Sequence, residues 1–203
     1  MKLYYSPGAC SLSPHIVAIE AGIGLELEKV DLQSKVTAAG KDFLAVNPKG
    51  YVPALELANG EVLTEGPAIV QYLADQKPVS KLAPAAGTLE RYRLQEMLTY
   101  LNSEIHKTYG ALFNPAILPT ERADKVAYLN KRYALIEQQL GRHAFLLGDQ
   151  FTVADAYLFV VLSWAPHVKF DLTQWPNLLA FQARVAARPH VIEALESEGL
   201  HKK

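Results

Sequence analysis

The chain has 203 residues, half of them apolar, with 20 basic and 21 acidic side chains and a formal net charge of -1. That length allows one large domain or two small ones. The near-neutral balance gives no general attraction to nucleic acid or an anionic membrane, so an anionic ligand must be held by a local site. A single cysteine, Cys10, excludes an intramolecular disulfide and fits a reducing cytoplasm.

The start, MKLYYSPGAC, has no apolar signal core, so nothing marks the chain for export. The longest apolar stretch, Ala156 to Leu162 extended through Ala165, is far shorter than the roughly 20 residues of a membrane span and reads as a helix buried on all sides.

In chain order, Lys2 to Tyr5 reads as a strand. Ser11 or Ser13 can cap a helix with Pro14 in its first turn and Ile16, Val17 and Ile19 on its apolar face, ended by Gly22 and Gly24. Leu27 to Leu32 alternates as a second strand. Ala38 to Val46 reads as a short irregular helix, and NPKGYVP is turn chemistry. Ala54 to Leu57, Asn59-Gly60, then Val62 and Leu63 predict a hairpin with a two-residue connector. The run from Leu63 to Pro67 launches a helix through Ile69, Val70, Tyr72 and Leu73. The first half is thus an α+β domain with a four-stranded mixed sheet.

Residues 78–87 read as a linker, dividing a first domain of residues 1–77 from an all-helical bundle of residues 88–203. Leu94, Met97, Leu98, Leu101 and Ile105 recur at helical spacing, as do Val126, Leu129, Tyr133, Ile136 and Leu140. Thr152 and Asp155 have the spacing of a reciprocal capping box, which makes Asp155 structural rather than catalytic.

Three segments hold candidate chemistry. SPGACS delivers Cys10 and Ser11 to a helix N-terminus, where the unpaired amides and the dipole favour a thiolate, of Cys10 or of a ligand; the alternative is a small buried hydrophobe. Val52-Pro53 opens a strand, where a cis proline leaves the preceding backbone to pair with an extended peptide; an ordinary edge proline is the alternative. Glu65 and Gly66 meet a helix start, so the acid either complements the dipole or accepts a ligand ammonium while the Gly66 amide donates to a ligand carboxylate. The six histidines show no zinc-binding spacing, and there is no phosphate loop, GxSxG elbow or basic aromatic stripe.

The strings SPGACS, NPKGYVPAL, LTEGPAIVQYLAD and FTVADAYLF, in that order, resemble the bacterial beta class of glutathione transferases over essentially the whole chain. The resemblance implies a thioredoxin-like domain followed by a helical domain lining the electrophile site, and a cytoplasmic, homodimeric detoxification enzyme. It implies glutathione as co-substrate, with no metal, and a hydrophobic electrophile as the second substrate, with no nucleic-acid or membrane partner. It further implies that Val52 and Pro53 pair with the cysteinyl part of glutathione and that Glu65 and Gly66 hold the γ-glutamyl end. Lys35 then meets a glutathione carboxylate, and Glu104, Ile105 and His106 line the cleft. Cys10 and His106 are the implied catalytic pair; Ser11 and then Tyr5 are candidate thiolate stabilisers because other transferase classes use a serine or tyrosine hydroxyl near the chain start, an arrangement the beta class does not closely resemble. Thr99 stands where the class often has Asn, with Asn102 nearly one turn on. Cys10 adds thiol exchange or reductive dehalogenation through a mixed disulfide as a second outcome. A non-catalytic binder of glutathione or apolar ligands is the alternative of a different kind.

Overall fold

The computed structural model describes residues 1–201. Two compact units emerge: Met1–Ala83 together with the residues from Ala187 onward, and Pro84–Ala186.

In the first unit, β1 (Lys2–Tyr5) leads to α1 (Leu12–Glu20), followed by β2 (Glu26–Asp31), β3 (Val36–Thr37), a 3-10 turn at Phe43–Ala45, β4 (Ala54–Glu56), β5 (Val62–Thr64) and α2 (Gly66–Gln76). The sheet has five strands in the order β3-β2-β1-β4-β5, one more than the sequence predicts. The extra strand is two residues long, too short to show a period, and pairs with β2 through Val30 with Thr37 and Asp31 with Val36. β1 runs parallel to β2 and antiparallel to β4, with Leu3 opposite both Leu27 and Leu55. Leu3 and Leu55 are fully buried, and Tyr4, Val30, Phe43, Val52 and Ala54 form a contiguous apolar cluster.

Local chemistry departs from expectation twice. The hairpin loop has three residues, not two: the Leu57 amide donates to the Glu61 carbonyl at 2.8 Å, the Gly60 amide donates back to the Leu57 carbonyl at 3.0 Å, and Gly60 has φ of +84°. This is a turn closed by a left-handed glycine, which shifts the pairing by one residue from a two-residue connector. Neither Ser11 nor Ser13 caps α1 through its side chain. The Ser11 hydroxyl instead closes the preceding loop on Ser6, and Ser13 donates to the Cys10 carbonyl at 2.8 Å.

A last helix, α8 (Pro189–Ser197), packs with this unit although chain order joins it to the helical segment. Arg188 binds Glu20 through its Nε and Nη2, at 2.6 and 2.8 Å, and Glu198 binds His15 at 2.9 Å. Both pairs tie α1 to chain positions about 170 to 180 residues away.

In the second unit α3 (Leu89–Tyr100) runs into a π-helical segment at Leu101–His106 and on into α4 (Lys107–Leu112), followed by α5 (Pro119–Leu140), α6 (Val153–Ser163) and α7 (Pro176–Ala186). Leu94, Leu98, Leu101 and Ile105 are buried, as are Leu129, Tyr133, Ile136 and Leu140, which is the apolar stripe their spacing predicts. α6 is buried from Val153 through Leu162. Its start is the expected box: the Asp155 carboxylate accepts from the Thr152 amide and hydroxyl and from the Leu146 amide, each at 2.8 Å.

Candidate functional site

Cys10 closes the loop between β1 and α1. Gly8, at φ of +71°, supplies the left-handed turn that a side chain would strain, and the Ser11 hydroxyl both accepts from the Ser6 amide at 3.1 Å and donates to the Ser6 carbonyl at 3.2 Å. Fully buried and doubly bonded, Ser11 braces the loop. Tyr5 directs its ring towards His15, at 6.4 Å between centroids, and burial raises its hydroxyl above the usual phenol range, away from the acidity a thiolate stabiliser draws on.

The Cys10 sulfur donates to the Val52 carbonyl at 3.2 Å. Burial pushes its pKa up to about 12; the Cys10 and Ser11 amides pull the other way, as a helix start predicts, and are outweighed, while the Glu65 charge adds to the rise. Without ligand, then, the Cys10 sulfhydryl is a hydrogen-bond donor to the Val52 carbonyl, and burial opposes the thiolate that the helix start favours. Desolvation outweighs the local amides because the sulfur is enclosed.

The neighbouring carbonyl belongs to the segment that leads into β4. The Val52-Pro53 peptide is cis. Val52 buries its side chain in the apolar cluster, and its amide donates to no group among the described residues. Pro53 is buried as well. Lys35, itself at φ of +60°, places its ammonium 2.9 Å from the Gly50 carbonyl, two residues before Val52. Glu65 has φ of +70°, a conformation that costs a non-glycine residue about 1–3 kcal/mol and is concentrated at functional sites. It makes no side-chain cap on α2; its exposed carboxylate meets the Lys49 ammonium at 2.7 Å, and Lys49 also reaches the Thr64 hydroxyl at 2.9 Å. Gly66 opens α2, where its amide has no acceptor within the helix. The first unit therefore gathers a thiol, a cis-proline edge, two ammonium groups, a carboxylate and a helix start.

In the second unit Glu104, Ile105 and His106 sit on the π-helical segment, a feature common at functional sites. Ile105 is fully buried, so only its backbone is available to a ligand. Glu104 pairs with the Arg132 guanidinium at 2.8 Å and accepts from Tyr128, whose ring lies against the same guanidinium. The His106 Nδ1 bonds the Tyr157 hydroxyl, its ring meets Trp164 edge-on at 4.8 Å, and Tyr157 donates to the Asn102 Oδ1 at 2.9 Å. Thr99 is exposed and donates to the Gln95 carbonyl of its own helix.

Sequence reading missed Lys49, Glu198 and Tyr157. The NPKG turn could have pointed to Lys49; Glu198, which accepts from the Gly8 amide at 3.0 Å, and Tyr157 left no local signal.

A thioredoxin-like unit with this thiol and cis-proline constellation, followed by a helical unit, is the architecture of glutathione transferases. Residues 8–76 match the family model for the glutathione S-transferase N-terminal domain, and residues 98–189 match that for the C-terminal domain. Glutathione S-transferase GstA of Escherichia coli O157:H7 is 44% identical over 98% of this chain and 100% of its own. Glutathione S-transferase GST-4.5 of Xanthomonas campestris is 35% identical over 99% and 100%. Among solved structures, the ternary complex of BphK, a bacterial glutathione transferase, has a TM-score of 0.97 at 56% identity, covering 98% of this chain and 100% of that one. The Sphingomonas chungbukensis beta-class enzyme gives 0.95 at 47%, covering 99% and 100%. The chain belongs to the glutathione S-transferase family, in its bacterial beta class. It is accordingly a glutathione-conjugating enzyme rather than a passive carrier. No helix among the described residues is long and apolar enough to cross a membrane.

Proposed function

We propose that glutathione lies along Val52 as an added strand, its sulfur beside Cys10 and its γ-glutamyl end at Glu65 and Gly66, with Lys35 facing a carboxylate. The observation that supports this most is the unpaired Val52 amide next to a cis proline, with the Val52 carbonyl 3.2 Å from the Cys10 sulfur. A bound tripeptide pairs with the amide as a neighbouring strand does. The solved sphingomonad glutathione S-transferase, 48% identical, is complexed with glutathione, which supports the same ligand here.

The neutral Cys10 thiol acts first as a donor to the glutathione sulfur, stabilising it as thiolate. Catalysis then joins that sulfur to an electrophilic carbon of an apolar substrate, with His106 as the second catalytic residue. Cys10 also permits thiol exchange and reductive dehalogenation, in which an oxidised or halogenated substrate takes up two electrons, a halogen leaving as halide, while the Cys10 and glutathione thiols give up their protons and join in a mixed disulfide. In this reading Glu104 and Ile105 belong to the same machinery, Ser11 and Tyr5 act only through the fold of the first unit, and residues 88–203 supply the electrophile side. The enzyme works as a cytoplasmic homodimer.

A Cys10→Ala variant separates the two chemistries. Turnover of an electrophilic aryl halide with glutathione persists within about tenfold, the range of one lost uncharged donor, while glutathione-dependent reduction of a mixed disulfide disappears. Loss of both by more than a hundredfold would place Cys10 in the conjugation step itself; retention of both would remove it from the chemistry.

A further inference from the structure

Residues 47–50 form a tight turn ahead of β4, closed by the Gly50 amide, which donates to the Asn47 carbonyl at 2.9 Å. Asn47 is buried; its Oδ1 accepts from the Lys49 amide at 3.2 Å, and its Nδ2 donates to the Tyr51 carbonyl at 2.7 Å. Gly50 takes φ of +68°, and the Lys35 ammonium holds its carbonyl at 2.9 Å. The backbone of Lys49 is thus fixed on both sides, so the fold sets the direction in which its side chain leaves. That side chain crosses to the end of β5, where its ammonium donates to the Thr64 hydroxyl at 2.9 Å and to the Glu65 Oε1 at 2.7 Å. Thr64 is in register with Ala54 of β4, so the sheet anchors one of the two acceptors. The Glu65 Oε2 has no hydrogen-bond partner among the described residues.

We infer that Lys49 is a positioning residue for Glu65: by holding Oε1 beside the Thr64 hydroxyl, it fixes the carboxylate with Oε2 open to the ammonium of the γ-glutamyl group. This rests on the reading above in which Glu65 accepts that ammonium. The Glu65 backbone is already set at φ of +70°, so the freedom left to the residue lies in its side chain, and an exposed glutamate gives up that freedom when it binds a ligand. Lys49 restricts the side chain in the free protein, and the ligand meets an acceptor already in place. A carboxylate has room for both cations, because each oxygen accepts on its own. Repulsion between the two ammonium groups is screened, since the Lys49 and Glu65 side chains are 53% and 62% exposed.

A double-mutant cycle tests this, read by calorimetric titration of the full-length enzyme with glutathione at physiological ionic strength. Glu65→Gln alone is expected to weaken binding about tenfold or more, the scale of a lost charge-assisted hydrogen bond. Lys49→Met alone is expected to weaken it about three- to fivefold, the upper range of an exposed ion pair, and to raise KM for glutathione by the same factor with kcat unchanged. In the Glu65→Gln background the same Lys49→Met change is expected to alter affinity by less than about 1.5-fold, because the group it acts through no longer carries the charge the ligand binds. Lys49→Arg, which still reaches both acceptors, is expected to restore wild-type affinity. A merely structural loss would lower kcat and would persist in the Glu65→Gln background. Lys49→Met that binds glutathione as tightly as the wild type, or more tightly as removal of a competitor would give, overturns the inference and leaves the Glu65 reading in place. An equal loss in both backgrounds shows Lys49 acting on the ligand directly and overturns it as well. Should Glu65→Gln bind glutathione as well as the wild type does, the Glu65 reading fails and the inference with it.

Discussion

Cys10 shows how two local effects of opposite sign are resolved by magnitude. A helix start lowers a thiol pKa, and enclosure raises it; here enclosure prevails and the value reaches about 12. Alkylation of the ligand-free protein by iodoacetamide is therefore expected to be slow at neutral pH and to rise about tenfold per pH unit up to at least pH 10, with no plateau. Mass spectrometry of the alkylated Cys10 peptide measures this, and a plateau below pH 8 would show an acidic thiol. The same chemistry explains why, in conjugation, Cys10 is read as a donor to another sulfur and not as the nucleophile.

The elements are fixed by caps and turns as much as by apolar period. At the start of α6 the Asp155 carboxylate satisfies two amides and a hydroxyl in a fully buried setting. Asp155→Ala removes the cap and strands those donors, a loss of about 2–4 kcal/mol in stability. Urea unfolding measures it, and a loss below about 1 kcal/mol would mean that the box is ornamental. Burial raises the Asp155 carboxyl to about 6 from its ordinary 3.8, so the native chain holds that proton more tightly than the unfolded one between those values. Its contribution to stability accordingly falls as pH rises from about 4 to about 6 and is constant above. Compared with Asp155→Asn, which does not titrate, the wild type is expected to lose relative stability across that window and nowhere else. A relative gain across it would contradict the sign. Much of this was legible beforehand, because Thr152 and Asp155 are three residues apart and the stripe from Leu94 to Ile105 repeats within one helix. The two-residue β3, the three-residue hairpin loop and the bracing role of Ser11 were not, because each depends on which backbone groups lie opposite and periodicity carries no such information.

Across the whole molecule, what the sequence could show and what it could not divide by distance along the chain. The segments around Cys10, Val52 and Glu65 each carry a local signature, and their order made the family resemblance visible. The partners that complete them come from far away: Glu198 reaches Gly8 across 190 residues, and Tyr157 reaches His106 across 51. Lone charges and tyrosines leave no trace of such pairings in a single sequence. On the proposed function, the edge at Val52, with Glu65 and Gly66, binds one tripeptide. Calorimetric titration of the wild type and of Glu65→Ala with glutathione tests it most directly. Saturable binding at one site per chain, weakened about tenfold or more by the substitution, is the predicted result; no heat of binding in the wild type at millimolar glutathione, or equal affinity in the two proteins, would contradict it.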